Sequence, residues 1–276
     1  MFHPEGPTFL ELMRQALSST ERGYDLLAPK FDRTPFRTPE PVVDAMVRAI
    51  GGPASVGAGL DVCCGTGAVL GRLRPLCRER AVGLDMSEGM LDEARRQLAA
   101  APSGGTAHAL AATPAGGAAL ELVRGDALAM PFEAEFDVVT SAGAFGHVER
   151  DDEDRFVAGI ARALRPGGRF VFATAERPGV ASPSLWILHG FNAAMRVRNA
   201  LVKPPFIMYY LTFLWPDVRP LLARHGLRAE AHAPFADGPF RRARVVVAHK
   251  SAKPPTEVGG SDRPRLRPGF GKKRRV

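Results

Sequence analysis

Cysteine is scarce: Cys63, Cys64 and Cys77 are the three in 276 residues. Adjacent Cys63 and Cys64 are badly placed to pair with each other, and no C-x-x-C spacing occurs, so a disulfide framework is excluded and a reducing cytoplasm is the expected setting. Long apolar runs are also missing. No charge-free stretch reaches the roughly 18–20 residues needed to span a bilayer. Met1–Thr20 interrupts its apolar residues with Pro4, Glu5, Glu11 and Arg14, which does not read as a signal peptide. Acids are lacking at one end only. Residues 241–276 carry 12 basic and 2 acidic side chains, whereas residues 1–240 carry 25 and 27. The overall +8 is therefore a C-terminal property and implies no basic patch on the folded body. The 45% hydrophobic and 24% charged residues are globular proportions, enough for a large α/β domain.

Apolar spacing of three and four over Thr8–Leu27 (Phe9, Leu12, Met13, Ala16, Leu17) predicts a helix, and a second is expected over Pro41–Ile50. The period then changes. Short β-branched runs at Gly59–Cys63, Ala81–Leu84, Leu120–Val123, Asp137–Ala142 and Arg169–Ala175 alternate with helical stretches at Ala68–Leu76, Ser87–Ala100 and Asp152–Leu164. That rhythm belongs to βαβ units and predicts a parallel sheet covered on both faces. Leu227–Ala233 and Arg244–His249 are two candidate closing strands. Three segments depart from the pattern: an Ala/Gly/Pro-rich loop at 101–119, an aromatic-rich insertion at 183–222, and a basic, Pro-containing tail over 251–276 expected to be disordered.

The sharpest local signal is Leu60-Asp61-Val62-Cys63-Cys64-Gly65-Thr66-Gly67, a strand entering a glycine turn and then a helix. Gly65 and Gly67 permit a tight turn that brings N–H groups near a ligand. Asp85 ends the second strand 20 residues after Gly65, where a carboxylate faces the same crevice and can accept both ribose hydroxyls. The bland alternative makes Asp85 a helix cap. A dinucleotide fingerprint asks for a third glycine, and Leu70 stands in its place. The third strand also ends in an acid, Asp126, which could accept from an adenine amino group while the Ala127 N–H donates to the ring. With Asp61, three carboxylates suit a cationic ligand better than a pyrophosphate. This favours S-adenosylmethionine (SAM) over NAD.

Asp61–Gly67, Leu84–Leu91, Gly125–Ala127, Phe136–Val139 and Leu164–Phe170 resemble, in order and at matching separations, the successive motifs of the class I SAM-dependent methyltransferases. The similarity is to the small-molecule branch that acts on quinones, sterols, phospholipid amines and polyketides, and it covers about residues 30–176. It implies an α/β, Rossmann-like doubly wound sheet of seven strands, mostly parallel with an antiparallel last strand, and helices on both faces. By position, Asp61, Cys63, Gly65 and Gly67 would border the methionine part of SAM, with Ser141 and Ala142 beside it. Asp85 would hold the ribose, Met86 would pack on the adenine, and Asp126 and Ala127 would read its edge. Cys63-Cys64 depart from the small residues common there. The implied organisation is an N-terminal helical cover (1–50), a transferase domain (51–250) with a variable lid (183–222), and the tail (251–276).

Methyl transfer needs in-line positioning and exclusion of water, and a base helps where the acceptor is a hydroxyl or a carbon acid. His147, just after the fourth strand, is the candidate catalytic base; the alternative is a ring that bonds a backbone carbonyl to shape the loop. No metal is expected, since His189 and His225 have no ligand spacing. Ser141-Ala142-Gly143-Ala144 stands where nucleic-acid methylating enzymes carry Pro-Cys or a Pro-Pro-aromatic motif, which argues against a nucleic-acid substrate. Pro205–Pro216 has no charge and five aromatics. A greasy acceptor pocket, ordinary core packing, and shallow docking of this lid or of the basic tail on anionic membrane at the inner face all remain open. The expected partner is a small apolar or amphipathic acceptor. A non-catalytic SAM-binding module and an NAD-dependent oxidoreductase are the rivals. Oligomeric state is not legible.

Overall fold

The computed structural model describes residues 4–100 and 118–252. Three helices come first: α1 (Phe9–Ala16), α2 (Thr20–Leu27) and α3 (Glu40–Ile50). Where apolar spacing predicts one helix over 8–27, the structure has two. Ser19 divides them: its backbone is extended, and its hydroxyl accepts the Arg22 N–H as an N-cap.

Then come β1 (Val56–Val62), α4 (Leu70–Leu73), β2 (Cys77–Asp85), α5 (Glu88–Ala100), β3 (Ala119–Arg124), β4 (Phe136–Ser141), α6 (Glu153–Ala163) and β5 (Leu164–Ala175). They are followed by α7 (Pro183–Leu201), α8 (Arg219–Arg224), β6 (Leu227–His232) and β7 (Ala243–Lys250). The helix expected over 68–76 shrinks to the single turn of α4 and a 3₁₀ turn, because Pro75 has no N–H with which to continue it. The 101–119 loop and the 251–276 tail lie outside the described residues, except for 118–119 and 251–252.

Among the described residues the strands form one seven-stranded sheet in the order β3-β2-β1-β4-β5-β7-β6. β1 to β5 pair in parallel, and β7 runs antiparallel to both β5 and β6. This is the doubly wound sheet with an antiparallel last strand that the motifs imply. β1 is buried along its whole length, as a central strand covered on both faces must be. Side chains alternate along β5: Phe170 and Phe172 join Phe136 and Phe156 on one face, while Val171 joins Val43, Met46 and Leu73 on the other. The strand order reverses between β1 and β4, which leaves a crevice at their carboxyl ends. No helix among the described residues is long and apolar enough to cross a membrane.

Candidate active site

β1 and β2 run side by side with Val62 opposite Leu84, so their last turns bring Asp61 and Asp85 to the same crevice. Beyond Val62 the chain reverses through three residues in the left-handed region: Cys63 (φ 57°), Gly65 (φ 53°) and Gly67 (φ 87°). The glycines adopt it freely, whereas Cys63 carries a strain of about 1–2 kcal/mol. The Gly65 N–H donates to Asp85 Oδ2 at 2.8 Å, and the Ser87 N–H donates to Oδ1 at 3.0 Å. The capping role is the one these bonds show for Asp85. It caps the turn into α5, lies at the crevice, and keeps spare lone pairs on both oxygens. Leu70, in the third-glycine position, packs where Gly83 has no side chain: a Cβ on Gly83 would lie 2.5 Å from Leu70 Cδ2. The space that a glycine on the helix would provide comes instead from the neighbouring strand.

Asp61 is buried, and its Oδ1 accepts from Thr140 Oγ1 at 2.8 Å. Burial pushes its carboxyl up to about 7; the Thr140 bond opposes this and the Asp85 charge adds to it. Asp85 is raised too, chiefly by burial, against the pull of its backbone N–H partners. Asp126 is exposed at the end of β3, and its Oδ1 accepts the Leu128 N–H at 2.8 Å, capping the turn Ala127–Ala129. Burial raises the Cys63 thiol, and the charges of Asp85, Asp61 and Asp126 raise it further. The three acids thus converge electrostatically on the glycine turn, and Cys63 is held as an unreactive thiol. Met86 is 43% exposed beside them. Ser141 differs: it is fully buried, and its hydroxyl donates to the Val62 carbonyl at 3.0 Å, bracing β4 against β1. Ala142 is half-buried next to it and packs on the apolar cluster under α3.

His147 closes the short turn Phe145–His147. Its Nδ1 lies 2.6 Å from the Ile207 carbonyl, and its Nε2 lies 2.7 Å from the Tyr24 hydroxyl. A carbonyl only accepts, so Nδ1 carries the hydrogen and Nε2 receives the Tyr24 proton. Burial lowers the pKa of the imidazole and keeps it neutral, while the Ile207 bond opposes the shift. Burial raises the Tyr24 phenol far above its ordinary range, and the charge of Asp85 reinforces this. The ring does bond a backbone carbonyl, yet its other nitrogen joins a chemically competent pair.

Tyr24, Asp25 and Asp32 reach the crevice from the N-terminal segment, and none of them lies in a motif. Asp25 Oδ1 accepts from the Ser87 hydroxyl at 2.6 Å and from the Gly89 N–H at 2.9 Å. Asp32 accepts from Thr66 Oγ1 at 2.8 Å. Both carboxylates fasten the N-terminal segment across the turn after β1 and the start of α5. Their signal was present as an aromatic-Asp pair repeated after seven residues, Tyr24-Asp25 and Phe31-Asp32. The insertion closes the other side. The Tyr209 N–H donates to the Gly146 carbonyl at 2.7 Å, Phe213 stacks on Phe145 at 4.2 Å, and Phe206 stacks near Tyr24 at 6.2 Å. Of the insertion's aromatics, Phe213 is core, packed with Phe145, Phe156 and Phe172, whereas Phe206 borders the cover.

A parallel sheet with a glycine turn after β1 and acids ending β1 and β2 defines an α/β protein of the nucleoside-binding kind. A family model described as a methyltransferase domain matches residues 60–172. A demethylmenaquinone methyltransferase of Clavibacter sepedonicus is 30% identical over 206 residues, covering 71% of this chain and 73% of that protein. The chain belongs to the class I SAM-dependent methyltransferases, whose cofactor is SAM. A demethylmenaquinone methyltransferase of Symbiobacterium thermophilum is 34% identical over 122 residues, and the match spans 43% of each chain, less than half of that relative's length. The fold is shared with an O-methyltransferase family protein from Burkholderia thailandensis, at a TM-score of 0.62 and 16% identity, over 88% of this chain and 68% of that one.

Proposed function

We propose that this protein transfers a methyl group from SAM to a small apolar acceptor bearing an aromatic hydroxyl, of the quinol type. The observation that carries the reading is the Tyr24–His147 bond, with the Tyr24 phenol within reach of the charge of Asp85 at the glycine turn. The residues suit SAM. A Cβ on Gly65 would meet nothing within 4 Å, so this turn leaves open space, and the surrounding acids complement a cation. When bound, SAM supplies a methyl group made electrophilic by its sulfonium. Asp85 takes the ribose hydroxyls. Asp126 and the Ala127 N–H take the adenine edge, with Met86 against its face. Asp61, Cys63, Gly65 and Gly67 border the methionine portion with Ala142 beside it, while Ser141, expected there too, lies fully buried behind and braces β4 against β1.

Tyr24 and His147 manage the acceptor's proton. The acceptor O–H bond breaks toward the Tyr24 oxygen while Tyr24's own proton passes to His147 Nε2. The electron pair left on the acceptor would take the methyl group as the sulfur–methyl bond breaks, the electrons of that bond staying on sulfur as a neutral thioether. Residues 1–50 act as cover and 183–222 as lid, excluding water from this step. The names of the Clavibacter and Symbiobacterium relatives support a quinone-type ring as acceptor. A cytoplasmic location suits three free thiols.

The test supplies methyl-labelled SAM with a panel of reduced naphthoquinones and catechols. Label is expected in the quinol. SAM binding by calorimetry without transfer to any hydroxyl-bearing ring would overturn the acceptor assignment while leaving the cofactor assignment intact.

A further inference from the structure

We infer that α1 and α7 together form a lipid-docking face that seats the protein on an anionic membrane surface. The observation is an inversion of the usual amphipathic order. The residue that α1 buries is Gln15, 5% exposed, while Phe9 stands 79% exposed, with Leu10, Met13 and Leu17 on the same outward side. α7 does the same. It buries Leu185 in its first turn, but further along it buries Asn192 and Asn199, whose amides bond the backbone of Tyr210 and Phe206, and turns Trp186 (66% exposed), Ile187, Val197 and Leu201 (79% exposed) outward. Scattered exposed apolar residues are ordinary, but two helices that bury amides and expose their apolar stripes are not.

The two helices abut. The Arg198 guanidinium on α7 donates to the Ala16 carbonyl at 2.7 Å and to the Ser18 carbonyl at 2.9 Å, at the end of α1. Leu17 and Leu201 therefore lie at the joined ends of the two stripes.

Charge selects the occupant. From Pro178 to Pro216 there is no acidic residue, and Arg196, Arg198 and Lys203 are the charges present. Arg196 and Lys203 are exposed beside the apolar stripe, and Arg14 and Arg22 are exposed on α1 and α2. Along α7 the apolar stripe has a purely cationic border, and the one acid of α1, Glu11, is neutralised by Lys30 at 2.7 Å, so the face fits phospholipid headgroups of negative charge with acyl chains beneath. A face shared between two copies would set these cations against each other.

The full chain is tested by co-sedimentation with phosphatidylglycerol-containing and pure phosphatidylcholine vesicles, with Trp186 emission followed in parallel. Binding to the anionic vesicles, weakened by salt, is expected, with a blue shift that Trp186→Phe abolishes. Leu17→Asp/Leu201→Asp should weaken vesicle binding by roughly tenfold or more, and Arg196→Glu/Lys203→Glu should remove the preference for anionic lipid. Both variants change exposed positions, and unchanged SAM affinity in each shows that the fold is retained. A chain that stays in the supernatant with both vesicle types overturns the inference. So does a dimer, seen by sedimentation equilibrium, that Leu17→Asp/Leu201→Asp dissociates while the native chain binds no vesicle. Methyl transfer to a soluble quinol is read separately, so loss of docking and loss of the proposed activity stay distinguishable.

Discussion

Asp61 is the residue whose ionisation is most exposed to its surroundings. Its carboxyl has an ordinary value of 3.8 and is pushed to about 7 by burial and by Asp85. Between those values the folded protein holds a proton that the unfolded chain releases, so this group's contribution to stability declines as pH rises from 3.8 toward 7. A bound cation favours the ionised form. SAM affinity is therefore expected to rise with pH through about 7, with proton release that calorimetry in buffers of different ionisation enthalpy measures directly. Asp61→Asn keeps the acceptor for Thr140 and removes the charge. It should stabilise the ligand-free protein at pH 8 by on the order of a few kcal/mol, weaken SAM, and abolish the proton release. Proton uptake, or none, in the native protein would contradict the assignment. Tyr24→Phe deletes the hydroxyl that reaches His147 Nε2. On the proposed relay kcat falls about 10²-fold with SAM affinity unchanged. The acid limb of kcat in the native enzyme should lie below the ordinary imidazole value of 6.5, because burial lowers the His147 pKa. A Tyr24→Phe enzyme with native kcat and the same pH profile would leave the pair a purely structural tie.

At the scale of elements, two straps tie the N-terminal helices to the rest of the chain. Asp25 joins α2 to the start of α5, and a Cβ on Gly89 would meet Asp25 Cα at 2.9 Å, so the two helices touch backbone to backbone. Asp25→Ala should cost about 1 kcal/mol for the lost cap and lower Tm by about 2–4 °C. Hydrogen exchange should quicken in residues 20–33 while β1 and β4 stay protected. The second strap is Arg198, which ties α7 to the carbonyls ending α1. Arg198→Ala is expected to speed exchange in α1 and α7 together; a change confined to α7 would mean that the helices are not coupled.

For the whole molecule, a ligand that bridges β1, β2 and β3 while the cover is closed should stabilise everything at once. SAM at a hundred times its Kd adds about 2.7 kcal/mol, equivalent to about 5–11 °C in Tm for a chain of this size. NAD should produce no shift, because the acids around the glycine turn repel a pyrophosphate; an equal shift with NAD would remove the basis of the site assignment. The +8 charge has no part in this pocket. It is concentrated beyond residue 240, whereas the crevice is lined by acids.

The strands between residues 56 and 175 were legible in the sequence because their rules are local. Short β-branched runs, the Gly65 turn and the acids that follow the first three strands are set within a few residues, and a parallel sheet follows from their order. What neighbours in sequence could not decide was decided by packing across the chain. Phe9, Met13 and Leu17 have a helical period, but only the tertiary structure shows that their side faces outward, because Gln15 already fills the inward position against Gly23. The Tyr24–His147 bond joins residues 123 apart and the His147–Ile207 bond joins residues 60 apart. No pattern within either segment encodes those meetings. The sequence by itself determined the sheet, the glycine turn and the carboxylates that end the strands, since hydrophobic periodicity and backbone sterics act over short spans. Only the folded chain decided which groups close over that crevice, because their contacts exist once the sheet has brought its N-terminal cover and its insertion to the same edge.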